Sequence, residues 1–242
     1  MTATLVTLGG GSAARTLVCV PHAGGSVVAF RGWIRVAAAA GLAVRAVHWE
    51  DEAGRSSIES RADALAAEVR DLPGPWVLLG HSLGALIAAE TARRITGPAP
   101  ELVVLCAAAP PGSPRGFPSG VLTAPDAGMT DYVRRLGGTP EDILTHPEFG
   151  PRLLAQVRND LDLIERYEPA YDRPLSSPVS VYGGASDASV PVEVLSGWRE
   201  VAPQARMRVF PGDHFFLHDS PAEVCREVVA DCARSTSDRL GG

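Results

Sequence analysis

One short stretch, residues 77–86, constrains the fold of this chain more than any other. An apolar run leads directly into Gly-His-Ser-Leu-Gly at residues 80–84, and a helix-forming segment follows over residues 85–95. The pattern G-x-S-x-G between a strand and a helix is typical of a nucleophile elbow. We expect the sharp turn to strain the backbone of Ser82 and to exclude side chains at Gly80 and Gly84. The pattern therefore predicts a serine hydroxyl exposed at the carboxyl edge of a sheet, near the free N–H groups of the following helix.

Strands and helices alternate at short intervals along most of the chain. Apolar runs predict strands at residues 4–8, 17–20, 42–49, 102–108, 179–184 and 206–210, besides the run before the elbow. The segments between them predict helices at residues 28–40, 58–72, 85–95, 192–201 and 222–233. This alternation is typical of an α/β protein with a mostly parallel central sheet covered by helices on both faces. The length of 242 residues predicts a single domain, residues 1–242.

The alternation is interrupted between residues 110 and 174. Residues 109–125 are rich in proline, glycine and serine, and helices are predicted at residues 131–136, 140–144 and 150–167 with no strand between them. We predict an inserted helical lid at about residues 112–170. The alternative is a purely structural subdomain, because the apolar residues of the last helix suit either packing or the lining of a pocket.

Three residues at predicted strand ends form a candidate catalytic triad. Acyl transfer at a serine requires a base that takes its proton and an acid that orients the base. Asp187 follows one strand and His214 follows the next, so both share the sheet edge with Ser82. The chain order Ser, Asp, His is that of the α/β-hydrolase fold. We predict that Ser82 is the nucleophile, His214 the general base and acid, and Asp187 the residue that orients His214.

Two other aspartates are weaker candidates for the acid. Asp213 is adjacent to His214, and the side chains of adjacent residues usually diverge. Asp172 lies in a loop before the strand, away from the carboxyl end of that strand. We therefore favour Asp187 as the partner of His214.

Three other histidines are weaker candidates for the base. His22 follows the first buried strand, where the oxyanion loop belongs, and His81 lies inside the elbow and is expected to pack or to form local hydrogen bonds. His218 comes four residues after His214 and is expected to face solvent. The position relative to the strand ends favours His214.

The oxyanion hole is expected to combine donors from two loops. The backbone N–H of Leu83, the residue after the nucleophile, supplies one donor in this fold. A second donor is expected from the small residues after the first buried strand, from Ala23 or alternatively from Gly24. Small residues there let the backbone approach a substrate carbonyl.

Composition limits the classes of partner. Hydrophobic residues make up 45% of the chain and charged residues 21%, which permits a sizeable core. The formal net charge of −6 argues against nucleic acid and anionic membranes as partners. No basic segment precedes an apolar run near the N-terminus, and no apolar run reaches about 18 residues. We expect neither a signal peptide nor a membrane span, and therefore a soluble, cytoplasmic protein. We also expect a monomer, although no sequence feature determines the oligomeric state.

The four cysteines are scattered in apolar segments and have no metal-ligand spacing; they are Cys19, Cys106, Cys225 and Cys232. In a chain without an export signal, such cysteines are expected to be buried free thiols. The sequence therefore predicts no metal site and no organic cofactor.

Five motifs spread over nearly the whole chain carry a family resemblance. They are V-P-H-A-G-G-S at 20–26, G-H-S-L-G at 80–84, R-L-G-G-T-P at 135–140, G-G-A-S-D at 183–187 and H-F-F-L at 214–217. Together they resemble the type II thioesterases, discrete editing enzymes of polyketide and nonribosomal peptide assembly lines. The elbow motif is common to serine hydrolases, whereas L-G-G-T-P and H-F-F-L are more particular to this family.

The resemblance implies a function that the residues alone leave open. Type II thioesterases hydrolyse acyl groups from the phosphopantetheine arm of acyl or peptidyl carrier proteins, with a mobile lid and a broad substrate range. The alternatives within the same fold are a carboxylesterase or lipase acting on oxygen esters, and an acyltransferase or cyclase. An alternative of another class is a non-catalytic module that binds carrier proteins.

The chain departs from the family pattern at three places. Residues 48–52, H-W-E-D-E, replace a turn similar to L-P-G-R, and Asp213 replaces the usual glycine before the histidine. The acid loop has one acidic residue, Asp187, where two are usual. None of these changes removes a member of the triad, and the first concerns substrate preference at the pocket rim.

Docking of a carrier protein requires a local surface of suitable chemistry. Carrier proteins are typically acidic, and this chain is net acidic too, so the surface must be basic or apolar. The candidates in the predicted lid are Arg134, Arg135, Arg152 and Arg158. The alternative is that these arginines are solvated residues on amphipathic helices.

Overall fold

A seven-stranded sheet forms the centre of the molecule. The computed structural model describes residues 1–10, 13–50, 56–114, 116–169 and 174–240. The strands are Thr2–Gly9 (β1), Arg15–Val20 (β2), Leu42–Glu50 (β3), Trp76–His81 (β4), Leu102–Cys106 (β5), Val179–Gly184 (β6) and Arg206–Phe210 (β7). Their order in the sheet is β1-β3-β2-β4-β5-β6-β7. Only the pairing of edge strand β1 with β3 is antiparallel among these pairs, so the predicted mostly parallel sheet is confirmed.

Helices cover both faces of the sheet. They are Ile34–Ala39 (α1), Ile58–Glu68 (α2), Leu83–Arg94 (α3), Asp126–Leu136 (α4), Glu141–Leu144 (α5), Phe149–Arg166 (α6), Phe216–Asp219 (α7) and Pro221–Leu240 (α8). α2 and α3 pack on one face and α1 and α8 on the other. Every residue of β4, β5 and β6 is buried, because both faces of these central strands are covered. This explains why their sequences are continuous apolar runs.

Local signals in the sequence account for α2. The Ser57 hydroxyl accepts a hydrogen bond from the Ser60 N–H at 3.1 Å, and the Ser60 hydroxyl donates to the Ser57 carbonyl. The reciprocal bond from the Ser57 N–H to the Ser60 hydroxyl completes a capping box. Ile58, Ala62 and Leu65 then follow at helical spacing and are all buried. The cap and the stripe together fix where the helix begins and which face it buries.

Two predicted helices form wholly or partly as 3-10 helices. The prediction for residues 28–40 is instead a 3-10 helix, Val27–Trp33, followed by the short α1. The prediction for residues 192–201 is a 3-10 helix, Val192–Glu200. Both segments contain valines and a glycine, which disfavour a regular α-helix, and both anchor a fully buried tryptophan, Trp33 and Trp198. Tertiary packing, rather than helical propensity, determines these turns.

A helical insertion, here residues 112–169 with α4, α5 and α6, separates β5 from β6. No strand occurs among its described residues, as predicted, although α4 and α6 begin earlier than expected, at Asp126 and Phe149. The insertion has its own small core, which includes Met129, Tyr132, Leu144, Leu154, Val157 and Leu161. It therefore packs as a layer above the carboxyl edge of the sheet.

The cysteine prediction is confirmed by the structure. All four cysteines are free and buried, and burial raises the pKa of each thiol. Burial thus keeps these thiols protonated and unreactive. Among the described helices, none is long and apolar enough to cross a membrane.

Candidate active site

Ser82 lies between β4 and α3 in a strained backbone conformation. Its φ of 56° and ψ of −119° are values that residues with a β-carbon rarely adopt. Its N–H donates to the Cys106 carbonyl at 2.8 Å, and its carbonyl accepts from the Ala85 N–H at 2.8 Å. These bonds to β5 and α3 hold the turn in place, and the predicted strained elbow is confirmed.

The two elbow glycines are required by close backbone contacts. A β-carbon at Gly80 would overlap the carbonyl oxygen of Gly84 across the turn. A β-carbon at Gly84 would overlap the Val20 carbonyl oxygen and lie 2.6 Å from the Pro21 carbonyl oxygen. The elbow therefore packs directly against the end of β2, as the sequence predicts.

Asp187 and His214 form a buried hydrogen-bonded pair at the same edge of the sheet. His214 Nδ1 lies 2.8 Å from Asp187 Oδ2, and both side chains are at most 6% exposed. The other carboxylate oxygen, Asp187 Oδ1, accepts the N–H groups of Ser189 at 2.8 Å and Val190 at 3.0 Å. Because an ionised carboxylate only accepts hydrogen bonds, the pair places the Nδ1 proton on His214 and leaves its Nε2 free to act as a base.

One cavity brings the candidate residues together. Its volume is about 660 Å³, and it is lined by Ser82, Leu83, His214 and Ala23. Its apolar wall comes largely from the helical insertion and α3: Leu86, Phe117, Tyr132, Val133, Leu153 and Val157. The arrangement joins a serine, a histidine and an apolar wall in one large cavity, which suits a substrate with an acyl chain.

The structure separates Asp187 from the competing aspartates. Asp213 is exposed, and its Oδ1 accepts the Phe215 N–H at 2.8 Å. It therefore stabilises the turn after His214. Asp172 lies outside the described residues.

Three further histidines pack behind the candidate triad. The rings of His22 and His81 are 5.0 Å apart, and those of His81 and His218 are 5.2 Å apart. Burial lowers the pKa of His22 to about 3 and that of His218 to about 4, and it lowers the pKa of His81 well below its usual value. All three imidazoles are therefore neutral near pH 7, and none replaces His214 as the base.

The predictions for His81 and His218 have different outcomes. His81 is buried and packs against neighbouring rings, as expected, and its Nε2 lies 2.9 Å from the carbonyl oxygen of His214, which is distant in sequence. The prediction that His218 faces solvent is wrong. The short helix α7 turns its ring inward against Phe30 and Trp33, and both ring nitrogens are buried.

The histidine cluster also bears on metal binding. One ligand atom each from His22, His81 and His218 lies within 4.8 Å of the others, a group that can be considered for a metal ion. Tetrahedral zinc with nitrogen ligands at about 2.0–2.1 Å requires ligand atoms about 3.3 Å apart. The rings would have to move inward to coordinate zinc, and edge-to-face packing with Phe215 accounts for their present positions.

The loop after β2, residues 21–26 and here called the β2 loop, contributes His22, Ala23 and Gly24 to the cavity wall. The Gly24 N–H donates to Asp160 Oδ2 at 2.8 Å, and the Gly25 N–H donates to the His22 carbonyl at 2.8 Å. No acceptor for the Ala23 N–H occurs among the described residues. Leu83 begins α3, so its N–H has no intrahelical acceptor. The geometry thus favours Leu83 and Ala23, and not Gly24, as donors.

Sequence reasoning did not identify Asp160, Arg61 or Tyr132. Asp160 lies on α6. One of its carboxylate oxygens accepts the Gly24 N–H, and the other lies 2.8 Å from the Arg61 guanidinium of α2. The available signal was an acidic residue on the apolar face of a predicted helix. Tyr132 is buried in the cavity wall, and burial, together with the nearby Asp187 charge, raises the pKa of its hydroxyl to about 12.

Two of the four candidate docking arginines are engaged within the insertion. Arg134 pairs with Asp131 at 2.6 Å and with Glu141 at 2.9 Å. Arg158 donates to the Leu122 carbonyl and pairs with Asp126 at 3.3 Å. These two arginines therefore stabilise the insertion itself.

The chain matches a known protein family in both sequence and structure. The Thioesterase domain model matches residues 15–232. The gramicidin S biosynthesis protein GrsT of Aneurinibacillus migulanus is 31% identical over 219 residues, which cover 86% of this chain and 85% of that protein. The structure is similar to that of YbtT, a type II thioesterase from the yersiniabactin NRPS/PKS pathway, with a TM-score of 0.82, 25% identity, and coverage of 96% of this chain and 98% of that one.

A second solved structure gives the same result. RedJ, the thioesterase from the prodiginine biosynthetic pathway in Streptomyces coelicolor, has a TM-score of 0.77 at 28% identity and covers 91% of this chain and 86% of its own. With the sheet order described above, these neighbours confirm the predicted α/β-hydrolase fold. The chain therefore belongs to the thioesterase domain family, and its resemblance to the type II thioesterases of nonribosomal peptide and polyketide pathways is confirmed in both sequence and structure.

Proposed function

We propose that this chain is a serine thioesterase that removes acyl groups from the phosphopantetheine arm of acyl or peptidyl carrier proteins. The observation that carries the proposal is the shared opening of three features on one apolar cavity: strained Ser82, the Asp187–His214 pair, and two free backbone donors. The pathways named for its relatives support the carrier-bound substrate.

The first step forms an acyl-enzyme. Ser82 Oγ attacks the thioester carbonyl carbon while His214 Nε2 takes the hydroxyl proton. The Asp187 carboxylate, 2.8 Å from Nδ1, stabilises the imidazolium that results. The tetrahedral intermediate then collapses, the carbon–sulfur bond breaks, and the pantetheine thiol leaves with the proton from His214.

The negative charge of the intermediate falls on the former carbonyl oxygen. In the proposed site, this oxygen accepts hydrogen bonds from the Leu83 and Ala23 N–H groups, with support from the N-terminal end of α3. Removal of one such donor typically costs 10²- to 10³-fold in kcat, about 3–4 kcal/mol.

The second step releases the acid. A water molecule takes the place of the thiol, gives a proton to His214 Nε2, and attacks the acyl-Ser82 carbonyl. Breakdown of the second tetrahedral intermediate returns the proton to Ser82. The same three residues therefore serve both half-reactions.

The acyl group is proposed to lie in the cavity beneath the insertion. Each methylene buried there gains about 0.8 kcal/mol, without any directional bond that would select one acyl group. The insertion would serve as the lid, and the phosphopantetheine arm would enter at its edge. A cavity of about 660 Å³ with an apolar wall on one side fits broad selectivity for acyl chains.

The test compares acyl release from an acylated carrier protein with hydrolysis of p-nitrophenyl esters, for the wild type and for Ser82→Ala. Faster release from the carrier that is lost in Ser82→Ala would support the proposal. Turnover of oxygen esters alone would overturn the carrier assignment in favour of an esterase. Formation of an amide or ester in place of the acid would identify an acyltransferase or cyclase, and tight carrier binding without turnover a binding module.

A further inference from the structure

We propose that Asp160 of α6 is a positioning residue, which holds the β2 loop in the geometry that thioester hydrolysis requires, and that Arg61 is its charge partner. This inference rests on the proposed function and extends it to two residues outside the triad. Neither residue contacts the reacting atoms, so both would act through the β2 loop.

Hydrogen bonds and close side-chain packing connect α6 to the β2 loop. Asp160 Oδ2 accepts the Gly24 N–H at 2.8 Å, and Gln156 Nε2 donates to the Gly25 carbonyl at 3.4 Å. The Val157 side chain lies against Gly24 so closely that a β-carbon there would overlap it. The loop is therefore shaped against one face of the helix.

The bond to Asp160 determines which loop amide faces the substrate. Gly24 has a φ of +74°, and with its N–H directed to Asp160 it cannot also donate into the cavity. The preceding amide, Ala23, remains as the donor for the substrate oxygen. If the Gly24 N–H lost its acceptor, the loop would be free to rotate, and the Ala23 donor would lose its alignment.

The positive charge of Arg61 offsets the negative charge of Asp160 near the proposed oxyanion hole. A lone carboxylate near the oxyanion hole would oppose the negative charge of the tetrahedral intermediate. Arg61 lies 2.8 Å from Asp160 Oδ1, and its side chain is 9% exposed against 5% for Asp160. Removal of one partner from a buried pair leaves an uncompensated charge, so the two residues are expected to act as a unit.

The pair also ties the insertion to the main domain. Arg61 belongs to α2, which packs directly on the sheet, whereas Asp160 belongs to the insertion. Closure of α6 on the domain would therefore complete the oxyanion hole, and its opening would loosen the β2 loop. Chemistry would then proceed only with the insertion in place.

The experiment uses the full-length protein and three variants. Asp160→Ala removes the carboxylate that contacts Gly24 and Arg61, Asp160→Asn keeps an oxygen for the Gly24 N–H, and Asp162→Ala is a matched control on the same helix. Asp162 is half exposed and pairs with Arg166 across one helical turn. Hydrogen exchange of residues 21–27 reports the contact, and kcat and KM for an acylated carrier protein report its catalytic effect.

We expect Asp160→Ala to speed exchange of one β2-loop amide at least tenfold and to lower kcat about 10- to 100-fold, with KM changed less than about threefold. The kcat of Asp160→Asn should lie between that of Asp160→Ala and that of the wild type, and Asp162→Ala should match the wild type in both measurements. Should Asp160→Ala fail to fold, the Asp160→Asn and Arg61→Met variants are measured in its place, each expected to lower kcat more than KM.

Unchanged loop exchange, or a loss confined to KM, would overturn the positioning role. Faster exchange with wild-type kcat would show that the contact exists but does not serve the reaction, which also overturns it. If the wild type itself shows no Ser82-dependent turnover, the proposed function fails, while the exchange data still decide whether Asp160 holds the loop.

Discussion

Ser82 occupies a backbone conformation that costs free energy, and the cost is tied to its exposure at the cavity. Residues in such conformations carry a strain of about 1–3 kcal/mol that the surrounding fold must offset. The offset comes from the bonds of Ser82 to Cys106 and Ala85. These bonds hold the backbone of Ser82, which lines the cavity, in this conformation before any substrate binds.

This strain predicts a difference between two inactive variants. Ser82→Gly should be more stable than Ser82→Ala by about 1 kcal/mol, because glycine accepts a φ of 56° while alanine retains the clash of the β-carbon. Urea unfolding at pH 7 measures the difference. At exposed Ser196 we expect the alanine variant to be more stable than the glycine variant. If alanine is also the more stable substitution at position 82, strain at Ser82 is contradicted.

The buried histidines predict loss of stability in acid. His218 has a folded-state pKa of about 4 and an unfolded value near 6.5, so the unfolded chain binds more protons between these pH values. Stability conferred by the neutral ring is therefore complete above about pH 6.5 and is lost as the pH falls toward 4. Between pH 7 and pH 5 the loss amounts to about 2 kcal/mol for this one residue.

The variant His218→Phe tests this assignment. It replaces the ring by one of similar shape that does not titrate, next to Phe30 and Trp33. Its free energy of unfolding should fall by about 2 kcal/mol less than that of the wild type between pH 7 and pH 5. His48→Phe, on an exposed position of β3, serves as the control. Equal pH dependence in His218→Phe and the wild type would refute the burial argument.

At the residue scale, the sequence identifies side chains at strand ends but not those that depend on packing between distant segments. The placement of Ser82, Asp187 and His214 follows from the rule that parallel strands share one carboxyl edge. The burial of His218 and the bond from Gly24 to Asp160 depend instead on α7 and α6 folding back over the sheet. No local pattern encodes those distances.

At the scale of elements, the insertion contacts two of the loops that form the site. α6 packs on the β2 loop, and the turn after α4 packs on the loop that carries His214. Gly138, with a φ of +75°, lies so close to the Phe215 ring that a β-carbon would overlap it. This contact gives a physical reason for the co-occurrence of L-G-G-T-P and H-F-F-L in the sequence.

The fit of α6 against the β2 loop predicts a compensating pair of substitutions. In Gly24→Ala the new β-carbon overlaps Val157 and also disfavours the φ of +74°, so kcat/KM should fall at least tenfold. In the double variant Gly24→Ala/Val157→Ala the overlap is gone, and part of the activity should return. Steady-state kinetics on one acyl-carrier substrate measures both.

Recovery in the double variant is the informative result. Val157→Ala alone defines the effect of the smaller side chain on the cavity wall, and it is the reference for the pair. Additive losses in the double variant would contradict a close fit between the loop and the helix.

Element boundaries show where sequence patterns reach their limit. The parallel strands are predicted correctly, because short apolar runs between glycine- and proline-rich turns usually form buried strands. The 3-10 helices Val27–Trp33 and Val192–Glu200 were predicted as helices without a type, because helical spacing alone does not distinguish a 3-10 helix from an α-helix. The burial of Trp33 and Trp198, which only the folded chain reveals, determines the tighter turns.

The whole molecule combines a cavity with a partly apolar wall and a net negative charge. The net charge of −6 and the internal pairing of Arg134 and Arg158 leave the exposed Arg135 and Arg152, with apolar Ile143 and Phe149, as the docking candidates on the insertion. A carrier protein would meet a mixed surface rather than a strongly basic one. Association should therefore depend only weakly on salt.

The central claim is that Ser82 attacks the carrier-bound thioester. The most direct measurement is mass spectrometry of the Ser82→Cys variant after it meets an acylated carrier protein, because transfer between thiols leaves an acyl-cysteine that hydrolyses slowly. Cleavage after arginine isolates residues 71–93, which contain Ser82 and no other serine or cysteine. We predict the acyl mass on this peptide, and its absence when Asp187 and His214 are both replaced by alanine. An acyl group on another peptide, or none while the wild type releases acid, would contradict the account.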